Sequence, residues 1–285
     1  MTKKKWWLGI PALVLVLGMT VVGCSDGSSG GGDSDPIKVN MSLPNIKDVK
    51  NFEGAFVSDE TEAKELIKSA IEAMESLDGI SISPSVLPAS RSMSRSTYTE
   101  PYEEIFKNEK LANGVYLTGF IKGYARMHAA NDNGGESVGD YMEISAQIKA
   151  AIDFDDATQS DFTYNGKYVY DESVYTKAKV TSINPSKGNA VFKFTAKDGY
   201  ALSVSKNGKG LKFVMKLDAS LNFNSNMSLD EFDNGDYLDD LDDKFVIKLT
   251  IDVYDNNNVK KPEFCKKFDN FEDANDYLDI NISGL

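Results

Sequence analysis

Residues 211–223 read Leu211-Lys-Phe-Val-Met-Lys-Leu-Asp-Ala-Ser-Leu-Asn-Phe223. Leu211, Phe213, Met215, Leu217, Ala219, Leu221 and Phe223 share one parity. Lys212, Lys216, Asp218, Ser220 and Asn222 share the other, with Val214 the one apolar exception. A strand turns successive side chains to opposite faces, so this stretch builds a strand with one buried face. Wound as a helix, the same residues would scatter apolar groups around the whole circumference.

The period of two recurs on both sides. Val115, Leu117, Ile121 and Met127 alternate with Tyr116, Thr118, Lys122 and His128. Met142, Ile144, Ile148, Ile152 and Phe154 alternate with Glu143, Gln147, Lys149 and Asp153. Phe245, Ile247, Leu249, Ile251 and Val253 do the same downstream. Such alternation belongs to antiparallel strands with one wet face. Asn207-Gly208 ahead of Leu211 is a hairpin signal. Asn165-Gly166 and Asp198-Gly199 are expected to be turns as well, each ending one strand and starting the next. The count comes to about eight to ten strands paired in sequence order. No helix–strand rhythm calls for a parallel sheet.

Before the strands, residues 58–77 predict an amphipathic helix. Ala63, Leu66, Ile67, Ala70, Ile71, Met74 and Leu77 recur at three and four, and Asp59 with Glu62 has capping-box spacing. Residues 80–99, with their serines, read as a long irregular connection. A short helix is expected over 101–111. The expected fold is mainly β (α+β): a long-stranded antiparallel meander forming a curved sheet or partial barrel, with an N-terminal amphipathic helix. In architecture alone that shape resembles the half-barrel lipoprotein carriers.

The first residues locate the chain. Lys3, Lys4 and Lys5 precede an uncharged run from Trp6 to Val22, which closes on Val21-Val22-Gly23-Cys24. A basic start, a short apolar core and a small residue before the cut describe an export signal. The run is short for a membrane-spanning helix and is interrupted by Pro11. The last four residues resemble the lipobox of bacterial lipoproteins, and the leader resembles those of spirochaete lipoproteins. The resemblance covers residues 1–24. It implies cleavage between Gly23 and Cys24, diacylglyceryl transfer to the Cys24 thiol and N-acylation of the new terminus. Two or more acyl chains anchor stably where one does not. Residues 25–36, rich in Gly, Ser and Asp, form a tether with an end-to-end distance of roughly 20 Å and a maximum near ~40 Å. The organisation expected is a signal peptide over 1–23, a tether over 24–36, a helix-containing segment with a Ser-rich linker over 37–99, and an antiparallel β domain over 100–285.

Composition narrows the function. The chain has 285 residues, 31 Lys+Arg against 44 Asp+Glu, two Cys and one His. Two cysteines, one of them acylated, make no disulfide scaffold, and one His makes no His-rich metal centre. The acidic balance argues against nucleic acid as a partner. Loss of residues 1–23 removes three lysines and no acid, leaving 28 basic and 44 acidic residues and a net charge of −16. Anionic headgroups are expected to repel a body of that charge, leaving the lipid as its hold on the membrane.

Candidate chemistry is sparse. His128, the one imidazole, closes a strand and has no Gly-x-Ser-x-Gly elbow to serve. Cys265 reads as a small packing residue between Phe264 and Phe268. Within the acidic run 228–243, Asp233, Asp236, Asp239 and Asp240 are calcium candidates by oxygen supply, although their order departs from a calcium-binding loop. Tyr116, Phe120 and Tyr124 share a strand face and are candidates to line a ligand surface. No catalytic residue, metal or cofactor is assigned, apart from the covalent diacylglycerol and N-acyl lipid on Cys24. The expectation is a non-enzymatic, lipid-anchored envelope lipoprotein with a structural or interaction role, on the inner or outer membrane, periplasmic or surface-exposed. Its partners would be the membrane through the anchor and an envelope protein. The alternative is a carrier of an apolar ligand, such as lipid, in the concave face of the sheet.

Overall fold

A computed structural model describes residues 37–76, 98–128, 141–159, 161–180, 188–225 and 244–278. In chain order it contains β1 (Ala55–Phe56), α1 (Glu60–Ser76), β2 (Tyr98–Ala112), β3 (Val115–His128), β4 (Tyr141–Gln159), β5 (Phe162–Val180), β6 (Gly188–Lys206), β7 (Lys209–Ser225), β8 (Val246–Tyr254), β9 (Lys266–Phe268) and α2 (Phe271–Leu278). Strands β2 to β9 form one sheet in sequence order, every pair antiparallel, and the sheet does not close. The two-residue β1 adds a parallel pairing to the start of β7. Lys206 pairs with Lys209 across a two-residue turn in which Asn207 and Gly208 both have positive φ, the backbone that Asn-Gly hairpins favour.

Three local expectations are corrected. Residues 101–111 lie in strand β2 rather than a helix. This is an edge of the sheet, where a proline such as Pro101 is tolerated and where charges such as Glu103, Glu104 and Lys107 keep the edge wet. Asn165-Gly166 makes no turn. It lies inside β5 opposite a bulge in β4, where the Asn165 side chain accepts from the Asp156 amide at 2.8 Å. Asp198-Gly199 also lies inside a strand, β6, which runs unbroken through it and pairs residue for residue with β7. The Ser-rich stretch lies outside the described residues up to Thr97.

The pleat gives the sheet an inner and an outer face. The inner face carries the apolar parity of β7 and β8 with Phe192, Phe194, Tyr200, Leu202 and Val204 of β6. Helix α1 packs on β6 and β7 through Ala63, Leu66, Ile67, Ala70 and Ile71, all buried. Asp59 caps it by accepting from the Glu62 amide at 3.0 Å, and Glu62 reaches back to the Ser58 amide at 2.9 Å. A second, smaller apolar cluster of Phe106, Leu117, Ile121 and Ile148 continues the inner face across β2 to β4.

Residues 40–52 form a strap over the outer face. Lys167 of β5 donates to the Asn40 carbonyl at 2.8 Å, and the Leu43 side chain lies against Gly199 of β6. Phe52 covers Gly210 of β7, and Asn256 pairs with both backbone groups of Phe52 at 2.9 and 3.1 Å. Lys50 forms ion pairs with Asp155 and Asp156 at the β4 bulge. The strap is held mainly by Lys212, fully buried on the outer face of β7. Its ammonium donates to the carbonyls of Val49 at 2.7 Å and Ile46 at 3.4 Å and to Asn258 Oδ1 at 3.0 Å. Burial lowers its pKa, against the attraction of the Asp255 charge. Lys212→Met keeps the stem and removes the three donors, leaving buried acceptors unpaired. The expected loss is about 2 kcal/mol, with amide exchange accelerated at 46–52 ahead of the rest of the chain. Uniform protection in the variant would show that the ammonium does not hold the strap.

Candidate functional site

The polar residues that break the apolar pattern of the inner face come together at one place. β5 contributes Tyr168, Tyr170 and Glu172; β6 contributes Asp198 and Tyr200. Tyr168 and Tyr200 are directly paired across the strands, their rings stacked at 4.3 Å and 13°. Tyr170 meets the Tyr168 ring edge-on at 6.0 Å, and Phe213 of β7 backs Tyr200. Glu172 is opposite Ala196, two residues from Asp198 along β6, so the two carboxyls are diagonal neighbours on one face. Glu172 is 2 % exposed and Asp198 5 %.

The backbone explains how Asp198 comes to sit there. The β5–β6 pairing lapses between Val169–Gly199 and Glu172–Ala196. The Asp171 amide, without its ladder partner, donates instead to Asp198 Oδ1 at 2.9 Å. A buried amide must find an acceptor, and this side chain provides it. Asp198 Oδ2, Glu172 Oε2 and the Tyr168 hydroxyl are buried, and the two carboxyls interact with each other and Glu172 with the Tyr170 hydroxyl.

The electrostatics follow from burial. Desolvation pushes Glu172 well above the usual carboxylate range, and the charge of Asp198 pushes it further, against a partial offset from the Tyr170 hydroxyl. Desolvation lifts Asp198 to about 7, against the pull of the Asp171 amide. The Tyr168 hydroxyl is raised too, by burial first and then by the charges of the cluster. Two adjacent carboxyls in an apolar core cannot both ionise at neutral pH, so the pair retains at least one proton between them. A hard cation asks for six or more oxygens, and among the described residues no group of three or more His, Cys, Asp or Glu is placed to hold a metal.

The residues singled out from the sequence lie elsewhere. Tyr116, Phe120 and Tyr124 lie on the outer face of β3, opposite the buried pair. Phe120 is fully buried, with the Lys122 ammonium 5.4 Å from its ring centroid. Tyr124 donates to Glu143 Oε1 at 2.9 Å, and Lys177 approaches Glu143 Oε2 at 3.7 Å, linking β3, β4 and β5. His128 ends β3. Cys265 is half-buried: its thiol accepts from the Val253 amide at 3.4 Å and donates to the Lys261 carbonyl at 3.3 Å. Gly23 and Cys24 lie outside the described residues, as do Asp233, Asp236, Asp239 and Asp240.

Glu172 and Asp198 carried a signal that turn chemistry masked. Extending the Lys167–Tyr170 alternation through Val174 and Thr176 puts Glu172 on the inner parity. Asp198 follows only if Asp-Gly is read as part of a strand.

No family model matches the chain, and the searches of curated proteins and of solved structures return no match.

Proposed function

We propose that this is a lipid-anchored envelope protein with a non-enzymatic role in interaction or structure, its curved sheet held at the membrane by acyl chains on Cys24. The carrying observation is the order of the N-terminal sequence: three lysines, an apolar run, Val21-Val22-Gly23-Cys24, then a Gly/Ser-rich tether. The strap supports it. Tension on an anchored tether meets the chain at Asn40 and passes to the sheet through Lys167, Leu43 and Lys212, so a pull on the lipid loads a braced segment. Among the described residues no helix is long and apolar enough to cross a membrane. The test is the mass of the N-terminal peptide from membrane-extracted protein. A peptide beginning at Cys24 with diacylglyceryl and N-acyl mass is expected, and Cys24→Ala is expected to move most of the protein out of the membrane fraction. An unmodified Cys24 would end this reading.

One observation favours the carrier alternative. The buried pair lies between the two apolar clusters, and Tyr170 packs against both. An apolar ligand would have to part this packing to bring its chain against Leu117, Ile121 and Ile148 and a polar head against Glu172 and Asp198, all of them buried. Native mass spectrometry of the purified protein decides: a retained lipid mass favours the carrier, a bare mass the interaction role.

A further inference from the structure

The outer face collects positive charge in a chain whose formal net charge is −13. Lys193 and Lys197 of β6, Lys216 of β7 and Lys248 of β8 all fall on the outer parity. Lys197 and Lys248 flank Asp218 in one cross-strand row, and Lys216 is in register with Gly199 and Thr250 in the next. All four are exposed, and none has a carboxylate at ion-pair distance among the described residues. Lys267 of β9 extends the second row, its ammonium 3.4 Å from Asp269. The acids beside these lysines on the same face are Asp171, Asp218 and Asp252, the last paired with Lys260 at 2.8 Å.

The N-terminal route gives this patch a partner. Leu43 of the strap lies on Gly199, the residue in register with Lys216, and Lys167 holds Asn40 one strand away. The chain therefore leaves for the tether from the outer face, beside the lysines. From Cys24 the tether spans at most ~40 Å. We infer that the outer face of β6 to β8 docks on the anionic headgroups of the bilayer that holds the anchor. The inference rests on the lipid-anchor reading. Net charge predicts repulsion, but the field at contact is set by the nearest charges, because screening reaches only about 8 Å at physiological salt. A lysine near such a surface contributes about five-fold in affinity, and the tether supplies the effective concentration that lets a few suffice.

The test uses full-length lipidated protein on vesicles of phosphatidylcholine alone and on vesicles with roughly one part phosphatidylglycerol in four. Acetylation rates of individual lysines are read by mass spectrometry. Lys193, Lys197, Lys216 and Lys248 are expected to label about three-fold or more slowly on the anionic vesicles, with protection lost at about 1 M salt. Lys107 of β2, exposed at the far edge, should label alike on both. Equal rates for the four lysines on both vesicles, or equal slowing of Lys107, would overturn the docking. Flotation with neutral vesicles reads the anchor separately. Protein that does not float there defeats the lipid-anchor reading, and the lysine rates on anionic vesicles, compared with vesicle-free protein, still decide the docking.

Discussion

Asp198→Asn is expected to stabilise the protein at about pH 8 by as much as ~4 kcal/mol and to flatten its stability between about pH 5 and pH 8. An ordinary aspartate loses its proton near pH 4, whereas burial holds that of Asp198 to about 7. Between those values the folded state binds the proton that the unfolded chain has released. Stability from this group is therefore complete below the unfolded value and falls as pH rises, by up to about 1.4 kcal/mol per pH unit. Glu172, raised by the same burial, contributes with the same sign. Asn has no proton to lose. Its carbonyl oxygen can still accept from the Asp171 amide, and its NH2 can donate toward Glu172 as the protonated acid would. The measurement is the denaturant midpoint of wild type and variant across that range. Parallel pH profiles would show that Asp198 ionises normally in the folded protein. Glu172→Gln should act in the same direction, and a double variant should fall short of the sum because the two carboxyls are coupled.

Gly54→Ala is expected to cost about 3–5 kcal/mol, where Gly208→Ala costs about 1 kcal/mol. At Gly54 the chain leaves the strap on the outer face and passes round the β6–β7 turn towards α1 on the inner face. Its φ is +94°, and a Cβ there would lie 2.0 Å from the Gly208 carbonyl oxygen. That oxygen is fixed, since it accepts from the Ala55 amide at 2.8 Å. Neither backbone can yield without breaking the β1–β7 pairing. Gly208 has a φ of +73° but nothing within 4 Å of an added Cβ, so Ala there meets only the backbone preference. Chemical denaturation of the two variants separates crowding from φ strain. Equal losses would mean that the corner relaxes freely, and the strap would then be no fixed part of the fold.

Much of this architecture was written locally. The alternation of Leu211 to Phe223 fixes a strand and its buried side, because the pleat acts residue by residue. The same holds for Val115 to His128 and for Ile247 to Val253. The capping pair Asp59 and Glu62 marks where α1 begins, because a helix start needs side-chain acceptors within one turn.

What the residues could not decide was whether a local preference would be used. Asn207-Gly208 turns and Asp198-Gly199 does not, because β7 and β5 offer partners on both sides of the second and the Asp198 carboxylate satisfies the one amide left open. Residues 101–111 became a strand because the edge of β3 needed covering. The Glu172–Asp198 pair and the two adjacent rows that hold Lys197 with Lys248 and Lys216 each join residues from different strands. Their proximity is set by cross-strand register, and register is a property of the assembled sheet that no single strand encodes.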